Sequence, residues 1–285
     1  MGWIRLLVRL SAFVLFLVGT AGLALILRLA DVVCRRRIDR TPWAGRCFRG
    51  ACRCLGLSLR YHGTPATEPA LYVSNHISWC DIPVLGSLAP ARFLSKAEVA
   101  RWPLIGWLAR QAGTLFIQRG GGQARRVKGT MARTLQQGES VLFFPEGTTS
   151  AGLTVLPFHG LLLQAARDAD VPIQPVTISY RRDGHPDHIL PFIGDDAFHH
   201  HLLGMLKQPP SRVDVLFHPP VRATGELTTG ELAERLHSTV REGLRQIQAG
   251  RYDTQAPDLR TEDAPGLSPL PSLAAGQQSP DQNKA

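Results

Sequence analysis

The sequence predicts an α/β fold, a mostly parallel central sheet flanked by helices, preceded by an N-terminal membrane helix. Three observations carry this. Leu10 to Leu27 is an unbroken uncharged run, LSAFVLFLVGTAGLALIL. From about residue 70, short runs rich in Val, Ile, Phe and Leu alternate with helical stretches, the pattern of parallel strands joined by crossovers. Of the 285 residues 44% are apolar, enough to bury a core. The chain then divides into a membrane-attached helix with a basic flank (1–40), an α/β domain (41–250) and a disordered tail (251–285).

The N-terminal run, as a helix, is ~27 Å long, the thickness of a bilayer core. It exceeds the roughly 7 to 15 apolar residues of a signal-peptide core. Arg5 and Arg9 precede it, whereas Arg28, Arg35, Arg36, Arg37 and Arg40 follow it. That heavier load resists export, so the C-terminal side stays in the cytoplasm. A cleaved signal and a buried core helix are the competing readings. Gly19 and Gly22 can also mark a bend that keeps the helix within one leaflet. The reading is membrane attachment, with its depth open.

Within the domain, ALYVSN, RFLSK, GTLFIQ, SVLFFP, IQPVTISY and VDVLFH read as strands. Between them VLGSLA, EVARWPLIGWLARQA, QARRVKGTMARTLQQG and HGLLLQAARDAD read as helices, with Gly138 a stop signal for the third. A last helix runs from about Thr229 to Gln248. The tail that follows is rich in Pro, Ser and Gln and has little to bury.

The net charge of +9 suits nucleic acid, an anionic membrane surface, or phosphorylated and carrier-bound substrates. Aromatic residues make up 7% and are not interleaved with the basic ones, which argues against nucleic acid. Five cysteines, four of them between Cys34 and Cys54, do not form a disulfide framework and read as free thiols in a reducing compartment. No cysteine or histidine set stands at zinc-site spacing. The run Phe198 to His201, FHHH, points its imidazoles in different directions along a helix.

Four stretches carry candidate chemistry. In YVSNHISWCDIPVL, a strand ends near Ser74 and Pro83 demands a helix start close to Cys80 or Asp81. His76 then lies in the turn and Asp81 in the first helical turn, where the carboxylate can hold one ring nitrogen and free the other to take a proton. Taken alone this is a weak signal, because Ser78-x-x-Asp81 is equally a capping box with His76 a polar turn residue. FFPEGTTS places Glu146, Gly147 and Thr148 at a strand end, where α/β sheets bind ligands, or makes an ordinary loop. GTLFIQR delivers Arg119 at the end of a strand, and RFLSK delivers Lys96 in the same way. Two cations so placed suit a phosphate, or are surface charge. VPIQPV brackets a strand start with Pro172 and Pro175, a pattern that edge strands also show.

In chain order, NHxxxxD, GxxFIxR, FPEGTxS and VPIxPV resemble the four blocks of the glycerophospholipid acyltransferase family, whose best-known members are lysophosphatidic acid acyltransferases. The match runs from Asn75 to Val176. The resemblance implies a glycerol-3-phosphate acyltransferase-like fold with His76 as general base and Asp81 as its orienting partner. It implies that Gly113, Phe116 and Arg119, helped by Lys96, belong to the acceptor's phosphate site. Glu146, Gly147 and Thr148 would position the acceptor, and Pro175 would shape the acyl-donor side. It implies neither a metal nor a covalent acyl-enzyme, and the co-substrate would be the thioester of coenzyme A or of acyl carrier protein.

The function expected is transfer of a fatty acyl group to the free hydroxyl of a lysophospholipid, foremost 1-acyl-glycerol-3-phosphate. The expected setting is the inner (cytoplasmic) membrane of a bacterium, with the catalytic domain facing the cytoplasm. One rival changes the acceptor to another lysolipid such as lyso-ornithine lipid, in which a carboxylate replaces the phosphate. A rival of another class is a non-catalytic membrane-surface binding protein, which consumes no thioester.

Overall fold

The computed structural model describes residues 1–36, 38–118, 123–194, 196–223 and 227–254. Arg119 and all but the first four residues of the expected tail therefore lie outside the described residues.

The uncharged run lies inside one long helix, α1 (Gly2–Val33), of mean hydropathy 2.5 over its most apolar window. By length and composition it can cross a membrane. It does not stand apart from the domain. A second helix, α2 (Thr41–Leu55), runs back along it, with Arg40 paired to Asp31 at 2.5 Å, Gly50 against the Phe16 ring and Gly56 against Arg9. The first turns of α1 rest on a later helix: Arg9 Nη1 donates to the Gln208 carbonyl at 2.8 Å, and Lys207 lies 4.1 Å from the centre of the Trp3 ring. One side of α1 is thus held by protein along its length. The other exposes Ile4, Leu15, Val18, Leu25, Ile26, Leu29 and Val32.

The sequence reading passed over α2, whose glycines and arginines hide its pattern. Gly56 ends it in the left-handed region (φ 74°), and the chain enters β1 (Leu57–His62), also unforeseen. The remaining strands are β2 (Leu71–Ser74), β3 (Arg92–Lys96), β4 (Leu115–Ile117), β5 (Val141–Phe143), β6 (Ile173–Arg182), β7 (His185–Pro186) and β8 (Ser211–Phe217). They form one sheet in the order β1-β8-β6-β2-β5-β3-β4, with β7 beside β6. β2 lies parallel between β5 and β6, in register Leu71↔Val141 and Leu71↔Ile173. Only β6 with β8 and β6 with β7 run antiparallel among the described strands. The mostly parallel α/β architecture predicted from the sequence is the one observed.

Helices cover both faces. Leu55, Val84, Leu85, Ile178, Met205 and Val213 make a core on the side of α1, α2, α3 (Asp81–Gly86) and α7 (Phe198–Lys207). Leu71, Val73, Met131, Leu135, Leu163 and Leu236 make another on the side of α5 (Gln123–Gln136), α6 (Gln164–Asp168) and α8 (Thr229–Gln248). The predicted helix over EVARWPLIGWLARQA breaks in two, a 3-10 turn Val99–Arg101 and α4 (Ile105–Gln111). Pro103 lacks an N–H and Leu104 adopts φ 60°, so the ladder cannot run through. Pro175 lies in β6 with neighbours on both sides, not at an edge. Its carbonyl accepts from His218 N at 3.0 Å, so its missing N–H faces the side where β8 has already ended, at Phe217.

Candidate active site

The three parallel strands β2, β5 and β3 end together, and the turns after them carry the candidate residues. β2 is buried throughout and leaves the sheet at Ser74. The next residue, Asn75, is fully buried and uses its side chain as a substitute rung. Its Nδ2 donates to the Ile178 carbonyl and its Oδ1 accepts from Ile178 N, each at 2.9 Å. The amide satisfies β6 where the backbone of β2 has turned away, which frees His76 to bend toward α3.

His76 is held by its main chain. Its N–H donates to Glu146 Oε1 at 2.8 Å and its carbonyl accepts from Ser150 N at 2.8 Å. Its ring stacks on Phe144, centroids 3.9 Å apart and 9° from parallel. Nδ1–H donates to Asp81 Oδ2 at 2.7 Å. The same oxygen accepts from Ile77 N at 2.7 Å and Ser78 N at 3.0 Å, and Asp81 Oδ1 accepts from the Tyr180 hydroxyl at 2.7 Å. A carboxylate that accepts from this side holds the proton on Nδ1, leaving Nε2 with its lone pair. Asp81 is wholly buried, whereas the imidazole keeps 19% of its surface exposed. No side-chain bond caps α3, so the capping-box alternative is only half present: Ser78 gives its N–H to Asp81 and its hydroxyl caps nothing.

Glu146 sits inside the protein, with Oε2 accepting from Leu156 N at 3.2 Å as Oε1 holds His76. Burial pushes its carboxyl up to about 7, against those two N–H groups, which favour the charge. Both oxygens are engaged by backbone, so Glu146 is placed to act on the site through the His76 turn. Gly147 takes φ 69° to turn the chain after β5, and Thr148 is exposed beside it. Lys96 is exposed at the end of β3, and Phe116 is half-buried in β4 opposite Ser95.

Gly113 stands apart from the residues around His76. It precedes β4 and lies at the opposite end of the sheet from His76, against Arg92 and beside a cavity of about 640 Å³. Its φ of 75° serves the turn out of α4. A ligand phosphate beside His76 is a strand's length away. The cation of that block, Arg119, lies outside the described residues.

A second cavity, about 280 Å³ and almost wholly apolar, runs between α1, α2, α3 and α4, with Phe13, Phe16, Trp79, Pro83, Trp102 and Phe198 among its walls. Trp79, two residues before Asp81, is pinned there: its Nε1 donates to His201 Nδ1 at 3.1 Å, and His201 Nε2 donates toward the Leu190 and Pro191 carbonyls. His201 is thus engaged as a hydrogen-bonding strut. Among the described residues no three His, Cys, Asp or Glu side chains gather as metal ligands.

Sequence reasoning missed Tyr180, Phe144 and the role of Asn75. Asn75 stood in the motif but without a task. Tyr180 and Phe144 looked like strand core.

A buried acid behind a partly exposed imidazole, at the carboxyl ends of parallel strands, is an arrangement that can take a proton from a hydroxyl. Comparison with known proteins gives the family. A family model described as Acyltransferase matches residues 58–179. A lyso-ornithine lipid O-acyltransferase of Pseudomonas aeruginosa is 45% identical over 86% of this chain and 95% of its own length. A 1-acyl-sn-glycerol-3-phosphate acyltransferase of Neisseria gonorrhoeae is 38% identical over 46% of this chain and 53% of its own length. The crystal structure of the 1-acyl-sn-glycerophosphate acyltransferase PlsC of Thermotoga maritima superposes with TM-score 0.64 over 87% of this chain and 98% of that one, at 23% identity, and shares the fold. The chain belongs to the acyltransferase family. It is an O-acyltransferase of lipid biosynthesis, and the non-catalytic reading falls.

Proposed function

We propose that the protein moves a fatty acyl group from an acyl thioester to the hydroxyl of a lysolipid, with His76 as general base. The observation that carries this is the 2.7 Å bond from His76 Nδ1 to Asp81, which leaves Nε2 free of any partner among the described residues. Nε2 takes the proton of the lysolipid hydroxyl as its oxygen attacks the thioester carbonyl. Asp81 stabilises the imidazolium that forms. When the tetrahedral intermediate collapses, the C–S bond breaks and the imidazolium returns the proton to the departing sulfur. General-base help of this kind contributes ~10²–10⁴-fold, and holding both substrates together supplies much of the rest. The acyl chain fits the apolar cavity that Trp79 lines, which begins beside the catalytic turn.

Lyso-ornithine lipid is the acceptor we favour. Similarity to the Pseudomonas aeruginosa enzyme spans 95% of that protein, whereas the Neisseria gonorrhoeae glycerophosphate enzyme matches over 53% of its length. The second reading, 1-acyl-glycerol-3-phosphate, rests on the four blocks and on the cations Lys96 and Arg119. A headgroup carboxylate and a phosphate both suit such cations. Purified enzyme supplied with a labelled acyl thioester, on coenzyme A or on acyl carrier protein, and with each lysolipid decides between them by product mass. A product from neither acceptor overturns the proposal.

We further propose that α1 lies lengthwise in the cytoplasmic leaflet of a bacterial inner membrane, not across it. Contacts with α2 and α7 from Trp3 to Asp31 hold it along the domain, and its opposite side is apolar but for Ser11 and Arg28. A cysteine placed before Trp3 then labels only from the cytoplasmic side; labelling from outside intact cells makes α1 a spanning helix.

A further inference from the structure

Asp81 has two oxygens in different circumstances. Oδ2 takes three donors, His76 Nδ1, Ile77 N and Ser78 N. Oδ1 takes one among the described residues, the hydroxyl of Tyr180 at 2.7 Å. We infer that Tyr180 is a positioning residue of the acyl transfer, which locks the Asp81 carboxylate so that Oδ2 stays on the His76 ring. The inference rests on the reading of His76 as the base.

Burial makes the second oxygen matter. Asp81 is at 0% exposure, and an ionised oxygen left without a donor in such a place is strongly disfavoured. Without Tyr180, the carboxylate would turn about its Cβ–Cγ bond toward whatever donor or water it could reach, and the line from Oδ2 to Nδ1 would go with it. Tyr180 is well placed to prevent this. It stands in β6, the strand beside β2, two residues beyond Ile178, whose backbone Asn75 clamps. One strand thus holds the catalytic turn twice, through the Asn75 amide and through the Asp81 carboxylate. The ring itself is packed in the core and only 3% exposed, so the hydroxyl cannot wander.

The chemical type of the donor is informative. Asp81 makes no ion pair except with His76 among the described residues. A lysine or arginine at the position of the Tyr180 hydroxyl would neutralise the acid and weaken its hold on the imidazolium. A phenol satisfies the oxygen and leaves the charge in place. Burial, together with the Asp81 charge, pushes the Tyr180 hydroxyl well up, so it remains a donor across the working range. The titratable groups around the pair are Cys80 just before α3, Cys52 from α2, Tyr180 from β6 and Glu146 from the loop after β5.

Tyr180→Phe removes the hydroxyl and keeps the ring. The expected result is a fall in kcat of about 10-fold, with KM for both substrates within about twofold. With the lock gone, Oδ2 drifts from the ring and the imidazolium is held less tightly. The acid limb of kcat/KM therefore moves down by about half a pH unit, and the proton resonance of His76 Nδ1–H moves upfield. Incorporation of 3-fluorotyrosine at 180, a stronger donor in the same shape, moves limb and resonance the other way and decides the matter if the phenylalanine variant does not fold. Wild-type kcat with an unmoved limb overturns the inference. So does a lower kcat with limb and resonance both unmoved, which would make Tyr180 a packing residue only. The resonance is read without turnover, so it stands apart from failure of the base assignment, which His76→Ala tests.

Discussion

Glu146 Oε1 accepts the main-chain N–H of His76 at 2.8 Å, so the loop after β5 steers the turn after β2 by its backbone. Folding raises this carboxyl from its ordinary 4.5 to about 7, chiefly through burial. The folded protein therefore keeps a proton that the unfolded chain has released. That contribution to stability is complete below pH 4.5 and is lost as the pH rises through about 7. Glu146→Gln removes the titration, so its melting temperature falls less than that of the wild type between about pH 5 and pH 8. Parallel melting curves of equal slope for the two proteins would contradict this.

In the same variant the amide must present an NH₂ to one of two backbone N–H groups, His76 or Leu156. Turnover should drop about 10- to 100-fold with acceptor KM little changed, since the damage reaches the base through its backbone. Steady-state kinetics on the preferred lysolipid checks the split. A rise in acceptor KM alone would point instead to direct contact between Glu146 and the acceptor.

His76→Ala and Asp81→Asn should each lower the rate of the chemical step by ~10²–10⁴-fold, and the double variant little further, because the two side chains act as one unit. The asparagine cannot accept with its NH₂ where Nδ1–H, Ile77 N and Ser78 N converge. Single-turnover measurements with a radiolabelled thioester separate this from binding. Additive losses would mean independent roles.

Asn75→Ala leaves both the N–H and the carbonyl of Ile178 without partners in the core. Loss of about 2–4 kcal/mol of stability is expected, since each buried group left unpaired accounts for ~1–3 kcal/mol. Urea unfolding of the detergent-solubilised protein measures it. A loss well under that range would mean that water or backbone movement repairs the gap.

Lys96 stands exposed at the carboxyl end of β3, level with Ile117 of β4. Lys96→Ala should raise the acceptor KM about 5- to 10-fold and leave the thioester KM unaffected. The reverse pattern would assign this end of β3 to the donor.

How much of this could be read from the chain varies with the range of the interaction. Asp81 reaches His76 from five residues away, and Pro83, two residues further on, already fixed where α3 must begin, so the pair was legible. Gly113 misled for the opposite reason. Its block was read as one unit, but Gly113 precedes β4 and so falls at the end of the sheet away from His76. Helix α2 escaped notice because its apolar side has meaning only against α1, where Gly50 admits the ring of Phe16.

The amino-acid sequence determined the local matters: an apolar helix, the alternation that makes an α/β sheet, and the strand ends where a base, an acid and a turn-forming glycine fall. These depend on neighbours within a few residues, whose spacing the backbone geometry converts directly into position. Tertiary structure alone decided that β6 would lie beside β2, across about a hundred residues of chain, and so that Asn75 would find Ile178 and Asp81 would find Tyr180. Hydrogen bonds of that reach follow from strand order and from which face each side chain takes, and both are set by how the whole core packs.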